Sequence, residues 1–220
     1  MHTDLTATEV RVLGALIEKE ITTPDYYPLS LNALVAACNQ KSNREPVVEY
    51  DETVVQTAVD SLRSKRLLWH VTGAGRTLKF DHNLRNETSL TPKEVAVLCT
   101  LMLRGPQTAS ELRTRSERMA PLASVEEVTQ VLTGLMQRPD GALVAEIPRQ
   151  PGQKENRFAH LLSGEPASTT VSQSPPPSSP EAPPVSQPSL ASRVEALEAE
   201  VQRLAGVVAD LRARLGDVAA

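Results

Sequence analysis

Apolar residues in the first 85 positions recur at helical spacing three times before the pattern changes to short runs of strand type. The first helical stretch opens at Leu5-Thr6-Ala7-Thr8-Glu9-Val10 and continues through Leu16. A second begins at Ser30, with Leu31, Leu34, Val35 and Cys38 on one face; a third begins at Asp51, with Val55, Ala58, Val59 and Leu62 three or four residues apart. Positions with that spacing share a helix face, so each stretch predicts a helix with one side to bury. Two β-type runs follow, Leu67-Leu68-Trp69-His70-Val71 and one ending in Phe80-Asp81-His82-Asn83-Leu84, with a Gly-containing turn between them. That arrangement predicts a hairpin.

The series then starts again. The segment from Leu5 to Leu16 recurs 85 residues later from Leu90 to Leu101, with seven of twelve positions identical. The shared positions have physical roles. Thr6 with Glu9, and Thr91 with Glu94, have capping-box spacing, while Leu5 with Val10 and Leu90 with Val95 supply a hydrophobic staple. Pro92 falls at the first helical position, where its missing N–H costs nothing. The second helix of the new copy is expected from Thr108, with Glu111 completing a capping box before Leu112, and the third from Ser124, with Val128, Val131, Leu132 and Leu135 inward. The runs Leu143-Val144-Ala145-Glu146-Ile147 and Phe158-Ala159-His160-Leu161-Leu162 close it. Three helices and a hairpin follow the element order of a winged helix. The expected fold class is mainly α with small β-hairpin wings (α+β), as two tandem winged-helix domains over 1–86 and 87–162. Copy one carries two loop segments that copy two lacks, Thr22-Thr23-Pro24-Asp25-Tyr26-Tyr27-Pro28 and Asn39-Gln40-Lys41-Ser42-Asn43-Arg44-Glu45-Pro46. Inserted loops are where function concentrates.

Beyond the second copy the pattern changes twice. Residues 163–189 hold eight prolines among Ser, Thr and Gln, with Leu and Ile absent. They have too little apolar surface to offset the entropy of ordering and read as a disordered linker. Over 190–218 a heptad places Val194, Val201 and Val208 at a, and Leu197, Leu204 and Leu211 at d. β-Branched residues at a with Leu at d favour a parallel two-stranded coiled coil, so a homodimer is expected through this helix, with a trimer as the other assembly open to it.

The loop motifs carry a resemblance. Tyr26-Tyr27-Pro28-Leu29-Ser30-Leu31-Asn32-Ala33-Leu34 and Cys38-Asn39-Gln40-Lys41-Ser42-Asn43-Arg44-Glu45-Pro46-Val47 are similar to segments of the YceH-like proteins of bacteria, over about residues 5–162. What the resemblance implies is a pair of tandem winged-helix domains. It brings no activity, ligand or catalytic residue with it.

Charge narrows the function classes. The whole chain has a formal net charge of -4, and residues 1–162 hold 19 Lys and Arg against 20 Asp and Glu. A nucleic-acid surface must therefore be local. No apolar run approaches the roughly 20 residues that span a bilayer, and Met1-His2-Thr3-Asp4 lacks the features of a secretion signal. The expectation is a cytoplasmic protein without membrane contact. Cys38 and Cys99 lack metal or redox spacing and read as buried thiols. His2, His70, His82 and His160 have no nucleophile motif or ligand cluster beside them, so no enzyme activity, metal or cofactor is expected. His82 and His160 hold equivalent places in the two copies and read as structural.

Two binding classes remain. Double-stranded DNA would be held by the third helix and wing of copy one. The candidates are Gln40, Lys41, Asn43 and Arg44 in the loop, Arg63 and Arg66 at the helix end, and Arg76 and Lys79 on the wing. Copy two offers Arg113, Arg115 and Arg118 near its second helix and Arg149, Lys154 and Arg157 on its wing. The acidic residues Glu52 and Asp60 on the third helix oppose phosphate. The alternative is a protein partner docking at Tyr26 and Tyr27, since aromatic residues are enriched in interfaces.

Overall fold

Each helix begins at the residue whose side chain can cap it. In the computed structural model, which describes residues 4–72, 78–149 and 153–164, Thr6 accepts from the Glu9 N–H at 3.2 Å while Glu9 Oε2 accepts from the Thr6 N–H at 2.6 Å. Helix α1 runs from there over Ala7–Thr22. A 3-10 turn, Pro24–Tyr26, leads to α2, Leu31–Cys38, capped by Ser30, and α3, Glu52–Ser64, is capped by Asp51. Strands β1, Leu68–Thr72, and β2, Leu78–His82, form an antiparallel hairpin in which Trp69 faces Asp81 and His70 faces Phe80. A short helix α4, Leu84–Glu87, spans the boundary expected at residue 86.

The second copy repeats the order: α5, Pro92–Arg104; α6, Ala109–Ser116; α7, Val125–Met136; then β3, Val144–Ile147, paired antiparallel with β4, Arg157–His160. Thr91, Thr108 and Ser124 are its N-caps. The architecture is mixed α+β and mainly helical, with seven α-helices and two small hairpins among the described residues. The second copy runs on past residue 162, where Leu162 bridges to Gly164.

The duplication extends to individual backbone hydrogen bonds. Leu29 and Phe80 exchange N–H···O bonds of 3.2 and 2.7 Å, and their counterparts Gln107 and Phe158 exchange bonds of 3.0 and 2.7 Å. Each hairpin thereby gains a third, one-residue strand just before the second helix. Phe80 and Phe158 drive this packing, because both are buried beneath their hairpins.

The repeats share a core. α1 is buried from Glu9 through Glu18 and α5 from Val95 through Leu103, because each packs on its own repeat and on the other. Gly14 and Cys99 occupy equivalent positions in the duplication, and the Cys99 thiol donates to the Gly14 carbonyl at 3.3 Å. Contact between equivalent residues is what a twofold-like arrangement produces along its axis. Both cysteines are free and buried; burial pushes the Cys38 thiol up to about 12 and raises Cys99 as well, leaving neither with thiolate character at neutral pH.

Candidate nucleic-acid and partner interface

The loop after α2 is a clip between elements, and this changes the picture of its cations. Asn39 closes it: its side-chain amide donates to the Tyr50 carbonyl and its Oδ1 accepts from the Tyr50 N–H, both at 2.8 Å. Asn43 adopts a left-handed φ of 57°, a region that Asn tolerates. Its Oδ1 accepts from Arg104 of α5 at 3.0 Å, and the Glu45 N–H donates to the Leu103 carbonyl at 2.9 Å. The loop is thus pinned onto the second repeat. Lys41 alone among its candidates is well exposed, with Gln40 and Asn43 half-buried.

Arg44, expected among the phosphate contacts, is a core residue. Its guanidinium meets Glu18 of α1 in a two-pronged pair, at 2.6 and 3.1 Å, with both side chains 0% exposed. It also donates to the carbonyls of Ala37 and Asn43. A cation so fully satisfied has no donor left for a phosphate, and opening the site would strand Glu18 in the core. Glu18 also receives Arg118 from just beyond α6, so one carboxylate joins the loop, α1 and the second repeat. Arg118 is accordingly engaged as well.

The remaining cations of copy one gather where α3 meets its hairpin. Arg63 and Arg66 are exposed and Lys79 is half-buried. Burial first, and the charge of Arg63 second, hold the His70 pKa below its ordinary value, so the end of α3 stands close to β1. Lys79 faces Val71, one rung along from His70. Arg63 also lies 3.6 Å from Asp60, an exposed contact that leaves its guanidinium largely free. In copy two, Arg113, Arg149 and Lys154 are exposed, whereas Arg115 and Arg157 both contact Glu111, at 3.2 and 3.3 Å.

The two tyrosines have different environments. Tyr26 is 77% exposed. Tyr27 is half-buried, its hydroxyl donating to Asp81 at 2.6 Å and accepting from the His82 N–H at 2.8 Å. Burial, reinforced by Asp81, pushes its pKa far above the usual phenol range. Tyr27 anchors the loop to the hairpin, and Tyr26 projects from that anchor. Trp69, directly across from Asp81, is 48% exposed. The sequence reading missed Trp69 because aromatic residues at strand spacing are more often core than surface.

Arg76 and the residues expected in a coiled coil, Val194, Leu197, Val201, Leu204, Val208 and Leu211, lie outside the described residues, as does the expected linker from 165 onward. Among the described residues no group of three or more His, Cys, Asp or Glu is placed to hold a metal, and no helix is long and apolar enough to cross a membrane.

Residues 5–153 match a family described as a protein of unknown function, DUF480. A UPF0502 protein of Geotalea daltonii is 55% identical over 177 residues, covering 80% of each chain, and one of Pelobacter propionicus is 56% identical over 165 residues, covering 75% of each. One from Saccharophagus degradans is 44% identical over 221 residues, spanning 96% of this chain and 99% of the relative. The chain therefore belongs to this bacterial DUF480 family, the YceH and UPF0502 proteins that its loop motifs resemble.

Proposed function

We propose that the protein is a non-enzymatic, tandem winged-helix binding protein that acts on double-stranded DNA as a transcriptional regulator, dimerised by a coiled coil over 190–218. The observation that carries this reading is the basic edge where α3 meets β1 and β2, bearing the exposed Arg63 and Arg66 and the half-buried Lys79. In a winged helix that binds DNA, the third helix enters the major groove while the wing follows the backbone, so a shared edge of this kind is where phosphates would be met. Single contacts are weak at this charge density, and a dimer presenting two copies of the edge gains by effective concentration.

Fluorescence anisotropy of the full-length protein with duplex DNA across a salt series tests the proposal. Binding is expected at low salt, weakening steeply as salt rises, because phosphate neutralisation releases counterions. Replacing Arg63, Arg66 and Lys79 together by Gln should flatten the salt slope. Absence of binding at about 50 mM salt, where that release favours association most, would rule the reading out. Lys41→Gln is expected to have a smaller effect, since the loop is held against the second repeat.

A second reading is favoured by the exposed pair Tyr26 and Trp69 beside the same hairpin, which suits a protein partner with an apolar contact surface. A stoichiometric partner whose capture is lost in Tyr26→Ser with Trp69→Ser would place it first. Tyr27 is left intact in that test because its hydroxyl holds the loop in place.

A further inference from the structure

The two repeats differ at one point that leaves a half-buried histidine without its acid. In repeat one, α1 is long enough for Glu20 to reach His82, with Oε2 2.7 Å from Nε2 and 3.1 Å from Arg85. In repeat two, α5 stops at Arg104, and Gly105 takes a φ of 70° and ψ of -158°, a conformation open to glycine alone. The 85-residue offset of the helices puts Gly105 in the place of Glu20, and the 78-residue offset of the hairpins puts Ser163 in the place of Arg85. His160, the counterpart of His82, has no ion pair with an acid or arginine, and its Nδ1, the atom that in His82 accepts from the Leu84 N–H, is buried without a hydrogen-bond partner.

The space that opens is a cleft of about 490 Å³ between the repeats, within the size range of small-molecule sites. Val10, Val48, Tyr50 and Met102 give it apolar walls, and Arg11, Glu45, His160 and Ser163 its polar ones. Arg11 is 4% exposed; it donates to the backbone carbonyls of Cys38 and Pro46 at 3.1 and 2.6 Å, and its Nε has no partner. Both acceptors are neutral. A buried guanidinium without a carboxylate beside it is costly unless an anion joins it. An adjoining cleft shares Gly105 and Pro106 and is lined by Arg104 and Gln107, whose Nε and Oε1 are likewise buried without partners. Four such atoms at one junction are a concentration that folded proteins otherwise avoid.

We propose that this junction binds a small organic acid, with its carboxylate at Arg11 and His160 and its apolar body against Val10, Val48, Tyr50 and Met102. The carboxylate enters the space left where Gly105 stands in place of Glu20. Charge-assisted bonds to the guanidinium and imidazole fix the head, and burial of the body supplies affinity. The loop 39–46, present only in repeat one, forms a wall of the cleft through Glu45 and Pro46, which gives that insertion a role its pinned cations do not.

Isothermal titration of the full-length protein at pH 7 with octanoate, and with octanamide as its neutral isostere, tests the site. Octanoate should saturate one site per chain with a Kd at least about tenfold below that of octanamide. Ala7→Trp and Ser163→Trp, both at exposed lining positions, should each abolish binding while leaving the thermal midpoint near the parent value; two blocking variants keep the test decisive if one fails to fold. His160→Leu should retain octanamide binding and lose the preference for octanoate. Absence of saturable binding, equal affinity for the two probes, or undiminished octanoate binding in a folded blocking variant would each overturn the proposal. None of these readouts depends on DNA.

Discussion

Glu18 and His160 both tie stability to burial, for opposite reasons. Glu18 is a fully buried carboxylate shared by Arg44 and Arg118, so Glu18→Gln leaves an arginine sealed in the core and a second one beside it with no compensating charge. Breaking one side of such a pair costs about 3 to 5 kcal/mol, expected as a lower midpoint in urea unfolding; a change below about 1 kcal/mol would show that the cluster is not the clamp described. His160 titrates the other way. Burial holds its pKa down to about 4 in the folded protein, against about 6.5 when unfolded. Between those values the unfolded chain binds the extra proton, so stability is full above pH 6.5 and falls as pH drops to 4, by up to about 3 kcal/mol. Unfolding midpoints measured from pH 7.5 to 5 should show this slope, and His160→Gln should remove it. The burial of Glu18 was not legible in the sequence, and His160 was legible only as structural, from its place in the repeat. Glu18 sits in the run Glu18-Lys19-Glu20, which reads as a solvated face, and only the approach of Arg44 and Arg118 from other elements makes its burial tolerable.

At the scale of elements, the starts of helices were legible and their surroundings were not. The caps Thr6, Ser30, Asp51, Thr91, Thr108 and Ser124 were all readable, because capping depends on residues within three positions of each other. That α1 and α5 pack on each other depends on contacts 85 residues apart, and it makes glycines in similar helices respond differently. A Cβ on Gly14 would lie 3.0 Å from the Leu103 side chain and 3.3 Å from Met102 Cβ, inside the helix pair. Gly14→Val is expected to destabilise by about 1 to 3 kcal/mol through overpacking. Gly134 in α7 is exposed and its Cβ would meet only Glu94 at 3.4 Å, so Gly134→Ala should stabilise, by up to about 1 kcal/mol of helix propensity. Thermal unfolding of the two variants checks the pair, and shifts of the same sign would refute the packing argument. A sequence signal for the helix pair did exist: Val10–Ile17 and Val95–Leu103 are apolar on nearly every side, as expected of helices covered all round.

For the whole molecule, the proposed dimer rests on the heptad read in residues 190–218. Deleting 190–220 should convert a dimer to a monomer by light scattering while the thermal midpoint of the repeats stays close to that of the full chain; an unchanged mass would refute the heptad as the assembly device. The repeats are expected to unfold together, since α1 and α5 share one core. The sequence by itself determined the duplication, the order and caps of the elements and the two hairpins, because these follow from periodicity and from bonds between near neighbours. Tertiary structure alone decided which charges are buried, that Arg44 serves the core and not the surface, and that the shortened α5 leaves a cleft at His160. Those outcomes depend on which side chains from distant segments meet, and desolvation at such meetings outweighs what any residue prefers locally.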